Sequence, residues 1–132
     1  MTTSLSRVSI TLVASVLLLA GAGPPSRDAA RRHLRLERSA PAADSVVTRS
    51  PGAIELWFSE KVELGATRVR LVGPDGMPVP LGAATQAKAA GSPVRASVTG
   101  ALANGVYTVN WTATSGDSHV VKGTFRFTLR TP

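Results

Sequence analysis

The chain of 132 residues contains no cysteine. That excludes disulfides, thiolate metal sites and cysteine nucleophiles, so the fold must be held by apolar packing alone. Aromatic residues are few: two Trp, one Tyr and three Phe. Apart from Arg31-Arg32 the basic residues are spread singly, with no clustered run, so the sequence shows neither a basic stripe nor a stacking platform for nucleic acid. Beyond residue 32 no segment carries a convincing helical stripe, and no internal repeat is visible. The longest apolar run, Val8 to Ala22, is shorter than the about 20 residues of a membrane-spanning helix.

That run has a different meaning. Arg7 precedes it, only Ser9, Thr11 and Ser15 interrupt it, and it ends in Ala20-Gly21-Ala22. A positive start, an apolar centre and a small-x-small ending predict a secretory signal peptide over residues 1–22. The mature protein is then periplasmic or otherwise extracytoplasmic, with no membrane span. Residues 23–32, Gly-Pro-Pro-Ser-Arg-Asp-Ala-Ala-Arg-Arg, lack apolar periodicity and read as a disordered leader or processing segment. Residues 33–130 are one domain's worth of chain. From His33 onward eleven Lys and Arg face seven Asp and Glu, so the domain carries a surplus of four positive charges rather than the chain's seven. A soluble, basic, exported domain is the expectation.

Its patterned segments have period two. Leu34 and Leu36 alternate with Arg35 and Glu37, and Ile54, Leu56 and Phe58 with Glu55, Trp57 and Ser59. Val69 and Leu71 alternate with Arg68 and Arg70. Tyr107, Val109, Trp111 and Ala113 alternate with Thr108, Asn110 and Thr112, and Phe125, Phe127 and Leu129 with Thr124, Arg126 and Thr128. Such alternation marks half-buried strands. Ser50-Pro51-Gly52, Gly73-Pro74-Asp75-Gly76 and Asn104-Gly105 supply turn chemistry between them. The Ala-rich stretch 82–90 has room for a turn of helix before Gly91 and Pro93 end it. The fold class is therefore all-β: an immunoglobulin-like antiparallel β-sandwich or Greek-key barrel of about seven strands.

Two histidines are the only imidazoles in the chain. His119 lies in Asp117-Ser118-His119 after Ser115-Gly116, which breaks the strand ending at Thr114. The motif is expected to begin a new extended segment at the sandwich rim, where residues two apart point the same way and present a carboxylate and an imidazole to one volume. By itself such a pair is weak evidence, since a surface Asp and His at this spacing are more often structural or incidental. His33 would gain a special property at a mature N-terminus, where its α-amine and ring Nδ1 can chelate one metal ion. Two nitrogens from His33, a second imidazole and a carboxylate form a tetragonal set suited to Cu(II). Elsewhere than at an N-terminus, His33 would be a solvated surface residue. Trp111 falls on the apolar face of its strand. Trp57 falls on the polar face of its own, as a sheet-surface residue or part of a partner contact.

Four motifs in order resemble the CopC family of copper-resistance proteins, from His33 to about Arg130. They are His33-x-x-Leu36-x-x-Ser39-x-Pro41-Ala42, Leu56-x-Phe58-Ser59-Glu60-x-Val62, Gly105-x-Tyr107-x-Val109-x-Trp111, and Ser115-Gly116-Asp117-Ser118-His119-x-x-x-Gly123-x-Phe125-x-Phe127. The resemblance implies an exported β-sandwich that binds one Cu(II) ion through His33, by amine and ring, and through Asp117 and His119. It places Glu60 near the metal as a weak or outer ligand and Trp111 close to it. Many members carry a Met-rich Cu(I) site, which the two methionines here, Met1 and Met77, do not provide. Cleavage after Ala22 leaves ten residues before His33, so a free His33 amine requires further processing, for example after Arg31-Arg32.

The function this implies is sequestration or delivery of a single Cu(II), contributing to copper resistance and homeostasis, with a CopD-type membrane copper transporter as possible partner and no enzymatic activity. The alternatives are a copper-dependent oxidative enzyme with a histidine-brace-like site and a metal-free interaction sandwich.

Overall fold

Period-two alternation becomes two stacked sheets in the computed structural model, which describes residues 33–132. The expected signal peptide and leader lie outside the described residues. Strands β1 (Leu36–Ala40), β3 (Ala53–Phe58), β7 (Val94–Ser97) and β6 (Thr85–Gln86) form one sheet in the order β1-β3-β7-β6. Strands β2 (Val46–Val47), β9 (Val120–Leu129), β8 (Gly105–Thr114), β4 (Arg68–Val72) and β5 (Pro78–Val79) form the other, in the order β2-β9-β8-β4-β5. The chain crosses between the sheets repeatedly. A sandwich results.

Alternation decides which face is buried. Along β8, Tyr107, Val109, Trp111 and Ala113 are buried while the residues between them are half-buried or exposed. Ile54, Leu56 and Val94 face them from the four-stranded sheet, and Leu71, Phe127 and Leu129 complete the core. Each large apolar side chain buried this way contributes about 1.5–3 kcal/mol, the kind of term a disulfide-free domain depends on. Tyr107 stacks on Phe127 at 5.3 Å, and its hydroxyl donates to the Ala103 carbonyl at 2.7 Å. Trp111 packs edge-on against Phe58, with ring centroids 5.3 Å apart. Trp57 stays on the outer side of its sheet, where the guanidinium of its cross-strand neighbour Arg38 sits 3.9 Å above the ring. That is a surface cation–π pair.

Three features differ from the sequence expectation. Among the described residues there are nine strands rather than about seven, because β2, β5 and β6 are two-residue pairings too short to show a period. Strand β2 joins β9 in parallel, Val46 opposite Thr128, so the five-stranded sheet is mixed. The stretch 82–90 holds no helix: Thr85 and Gln86 pair with Arg95 and Val94, and Gln86 donates to the Ser92 carbonyl at 2.9 Å. Edge pairing to β7 outcompetes alanine's helix preference over so short a span. The turn at 73–76 forms as its residues dictate. Gly76 adopts φ +77°, a region open to glycine at no steric cost, and Asp75 Oδ1 accepts the Met77 amide at 3.0 Å.

Candidate metal centre

Strands β8 and β9 are an antiparallel hairpin whose last pair is Thr114 opposite Val120. The five residues between, Ser115 to His119, form its turn. Ser118 N donates to Ser115 O at 2.9 Å and Ser115 N to His119 O at 3.0 Å, closing it. Ser118 takes φ +69°, a left-handed conformation that short polar residues tolerate at turns. The segment is therefore not extended, and the same-face argument from strand geometry does not apply.

The pair converges nonetheless. His119 Nδ1 and Asp117 Oδ2 stand 2.8 Å apart, brought together by the turn rather than by a strand face. Ser115, only 3% exposed, donates its hydroxyl to Asp117 Oδ1. Its oxygen also lies 3.2 Å from His119 O. A hydroxyl has one proton, and the charged acceptor is the stronger one. These bonds act on a carboxylate in open solvent: the Asp117 side chain is 64% exposed and that of His119 80%. The Ser115 hydroxyl first, then the His119 ring, hold the Asp117 carboxyl down from 3.8 to about 2. Asp117 is thus an anion at any physiological pH.

His33 and Glu60 reach this end of the sandwich through the backbone. The His33 carbonyl accepts the Ser59 hydroxyl at 3.2 Å, and Ser59 exchanges further bonds with the Arg35 backbone. Past Glu60, Val62 bridges to Ser115 and Glu63 N donates to Thr114 O at 2.8 Å. The side chains do not close into one cluster: among the described residues, no three His, Cys, Asp or Glu side chains stand together as a metal-holding group. The structure joins Asp117 to His119 and leaves His33 and Glu60 apart from them. Two residues of the site carry little signal in the sequence. Ser115 is one, marked only by a hydroxyl two residues before the aspartate. Glu63 is the other, its carboxylate Oε1 4.0 Å from where a Cβ on Gly116 would stand.

A carboxylate held against an imidazole on a short, tied turn can bind a cation through oxygen and nitrogen, or orient the ring so that its other nitrogen binds one.

Comparison with known proteins identifies the family. The protein YobA of Escherichia coli K12 is 33% identical over 98 residues, spanning 74% of this chain and 79% of its own. Copper resistance protein C of Escherichia coli is 33% identical over 107 residues, spanning 76% of this chain and 84% of its own. The crystal structure of CopC from Methylosinus trichosporium OB3b superposes with a TM-score of 0.66 at 27% identity, covering 75% of this chain and 95% of that one. The CopC domain matches residues 36–130, from the first strand to the residue after the last. With that match and relatives a third identical over three quarters of its length, the chain belongs to the CopC family.

Proposed function

We propose that this protein contributes to copper resistance outside the cytoplasmic membrane by holding one Cu(II) ion as cargo, for sequestration or delivery. The reading assigns residues 1–22 to export, 23–32 to processing and 33–130 to the copper-binding domain. Asp117 and His119 are the ligands at the hairpin turn. His33 joins them through its ring and, once freed by processing, its α-amine, with Glu60 near the metal as a weak ligand. A CopD-type membrane transporter is the partner that would receive or supply the ion.

The observation that carries this is the 2.8 Å approach of His119 Nδ1 to Asp117 Oδ2 on an exposed turn. Two donors each about 2.0 Å from one metal and at right angles stand about 2.8 Å apart, the adjacent corners of a tetragonal site. The metal takes the place of the proton between them. Nitrogen and carboxylate donors suit Cu(II), whereas Cu(I) prefers the thioethers and thiolates that this chain lacks. Reduction therefore favours release, which suits a carrier. Binding without turnover is the activity expected of such a site.

Titration of the metal-free protein with Cu(II), followed by calorimetry and by electron paramagnetic resonance, tests this. One ion should bind, with a tetragonal spectrum showing nitrogen and oxygen ligands. His119→Ala removes a direct ligand and should weaken binding beyond the roughly 10–100-fold typical of losing a supporting group around a metal. Unchanged affinity in that variant refutes the assignment, and no binding by the parent protein leaves a metal-free interaction sandwich.

A further inference from the structure

Basic residues that occur singly along the sequence are gathered by the sheet. In the register of β4, β8 and β9, Arg68 stands opposite Thr112, which stands opposite Lys122. The next row on the same face is Arg70, Asn110 and Thr124, and the third is Val72, Thr108 and Arg126. Two strands apart is about 10 Å and four residues along a strand about 13 Å. Four cations therefore occupy one face of that size. Between Arg68, Arg70 and Lys122 lies an open depression of about 480 Å³, with Trp111 and Gly123 among the residues that line it.

No acid shares this face. The outward positions of the three strands hold only cations, Thr, Asn and Val, while Asp75 and Asp117 lie in the turns at its two ends. Arg70, Lys122 and Arg126 make no ion pair or side-chain hydrogen bond among the described residues. Arg68 spends its guanidinium on the Gly65 and Thr67 carbonyls at 2.7 and 2.9 Å. On the opposite sheet, by contrast, Arg35 pairs with Glu37 and Arg95 with Glu55. This face leaves its charge uncompensated.

We propose that the outer face of β4-β8-β9 docks on an anionic phospholipid surface. The cations are exposed and not held by buried partners, so a single small anion would gain little from any one of them. A plane of phosphates engages all of them at once, each contributing on the order of a fivefold gain in partitioning. The one aromatic beside the depression, Trp111, is buried at 8% exposure and leaves no open ring on which a single-stranded nucleic acid could stack. Docked this way, the hairpin turn carrying Asp117 and His119 lies at the rim of the membrane footprint.

The test uses metal-free protein recovered from exporting cells, so that every variant shares one N-terminus and copper plays no part. Cosedimentation is measured with vesicles of phosphatidylcholine alone and with phosphatidylglycerol added. The protein should sediment only with the anionic vesicles, and less as salt rises. Arg70→Gln/Lys122→Gln/Arg126→Gln should lower partitioning about 100-fold at low salt. Arg49→Gln/Lys61→Gln/Lys88→Gln removes the same charge from exposed positions outside the face and should retain most of the binding. Thermal midpoints of both variants should match the parent's, since the altered side chains make no bonds among the described residues. Equal losses in the two variants, or no sedimentation with anionic vesicles, overturn the proposal. Binding to an acidic protein without binding to vesicles overturns it equally.

Discussion

Gly123 lies opposite Trp111 in the β8–β9 ladder, and the indole covers it. A Cβ placed on Gly123 would stand 2.5 Å from Trp111 Cζ2 and 2.7 Å from Cε2, far inside van der Waals contact. The ring has little room to retreat, because it is 8% exposed and rests against the edge of Phe58. Forcing an extra methyl into a packed core costs about 1–3 kcal/mol, and a rigid indole puts Gly123→Ala toward the upper part of that range. Losing glycine's freedom in the unfolded chain returns about 0.4–1 kcal/mol. The net is a destabilisation of about 1–2 kcal/mol, or a drop in Tm of roughly 4–16 °C for a domain near 100 residues. Differential scanning calorimetry reads this directly, and the emission of Trp111 should change with the displaced ring. Gly116→Ala is the control, since its Cβ would meet nothing nearer than Glu63 Oε1 at 4.0 Å and its Tm should stay close to the parent's. A Gly123→Ala protein as stable as the parent would show that the indole is free to move, and would remove Trp111 as a fixed element beneath the hairpin.

Three other perturbations probe the site and the core. In Ser115→Ala the Asp117 carboxyl loses its strongest partner, so its NMR titration should move up from about 2 toward the ordinary 3.8, with weaker Cu(II) binding. In the parent the depressed value means that the stability this carboxylate contributes is present above pH 3.8 and is lost as pH falls through about 2; an unmoved titration in the variant would exclude the serine's role. Burial, then the charge of Asp75, pushes the Tyr107 phenol above its usual 10.0. The stability it contributes is therefore present below pH 10 and falls as pH rises further, and Tyr107→Phe should cost about 1–2 kcal/mol in urea unfolding by leaving the Ala103 carbonyl without its donor. Protein beginning at His33 should bind Cu(II) far more tightly than protein beginning at Gly23, because only in the first is the His33 nitrogen an amine that the metal can strip of its proton near neutrality, whereas in the second it is a peptide amide; equal affinities by calorimetry would remove that amine from the ligand set.

The long strands are legible in the sequence because burial has a period there. Tyr107, Val109, Trp111 and Ala113 repeat the inward face of β8 without interruption, and any sheet that buries them must expose Thr108, Asn110 and Thr112. Strands of two residues carry no such signal. Val46–Val47, Pro78–Val79 and Thr85–Gln86 pair because longer neighbours pass beside them, a fact of tertiary structure that their own residues do not encode. The cationic face is hidden for a related reason. Alternation shows which residues point outward on each strand, but the strand order that sets Arg68 and Arg70 beside Lys122 and Arg126 comes from the fold.

The site divides along the same line between local and distant information. Asp117 and His119 are two residues apart, so one turn positions both, and a short motif suffices to mark them. The geometry behind the motif is nonetheless not that of a strand, since Ser118 at φ +69° ends any extended run and it is the buried Ser115 hydroxyl that sets the carboxylate. His33 and Glu60 depend on where β1 and the end of β3 come to rest against the hairpin. The backbone joins His33 to Ser59, and Val62 to Ser115, bringing those segments to one end of the sandwich while their side chains stay apart from the pair. Of the expected ligands, His33 and Glu60 are thus the ones whose side chains must travel for a full coordination set to form. Asp117 and His119 already stand at the spacing that the proposed site requires. Copper affinity should accordingly be sensitive to the N-terminal residue and its freedom, and much less so to substitutions in the strands that carry the pair.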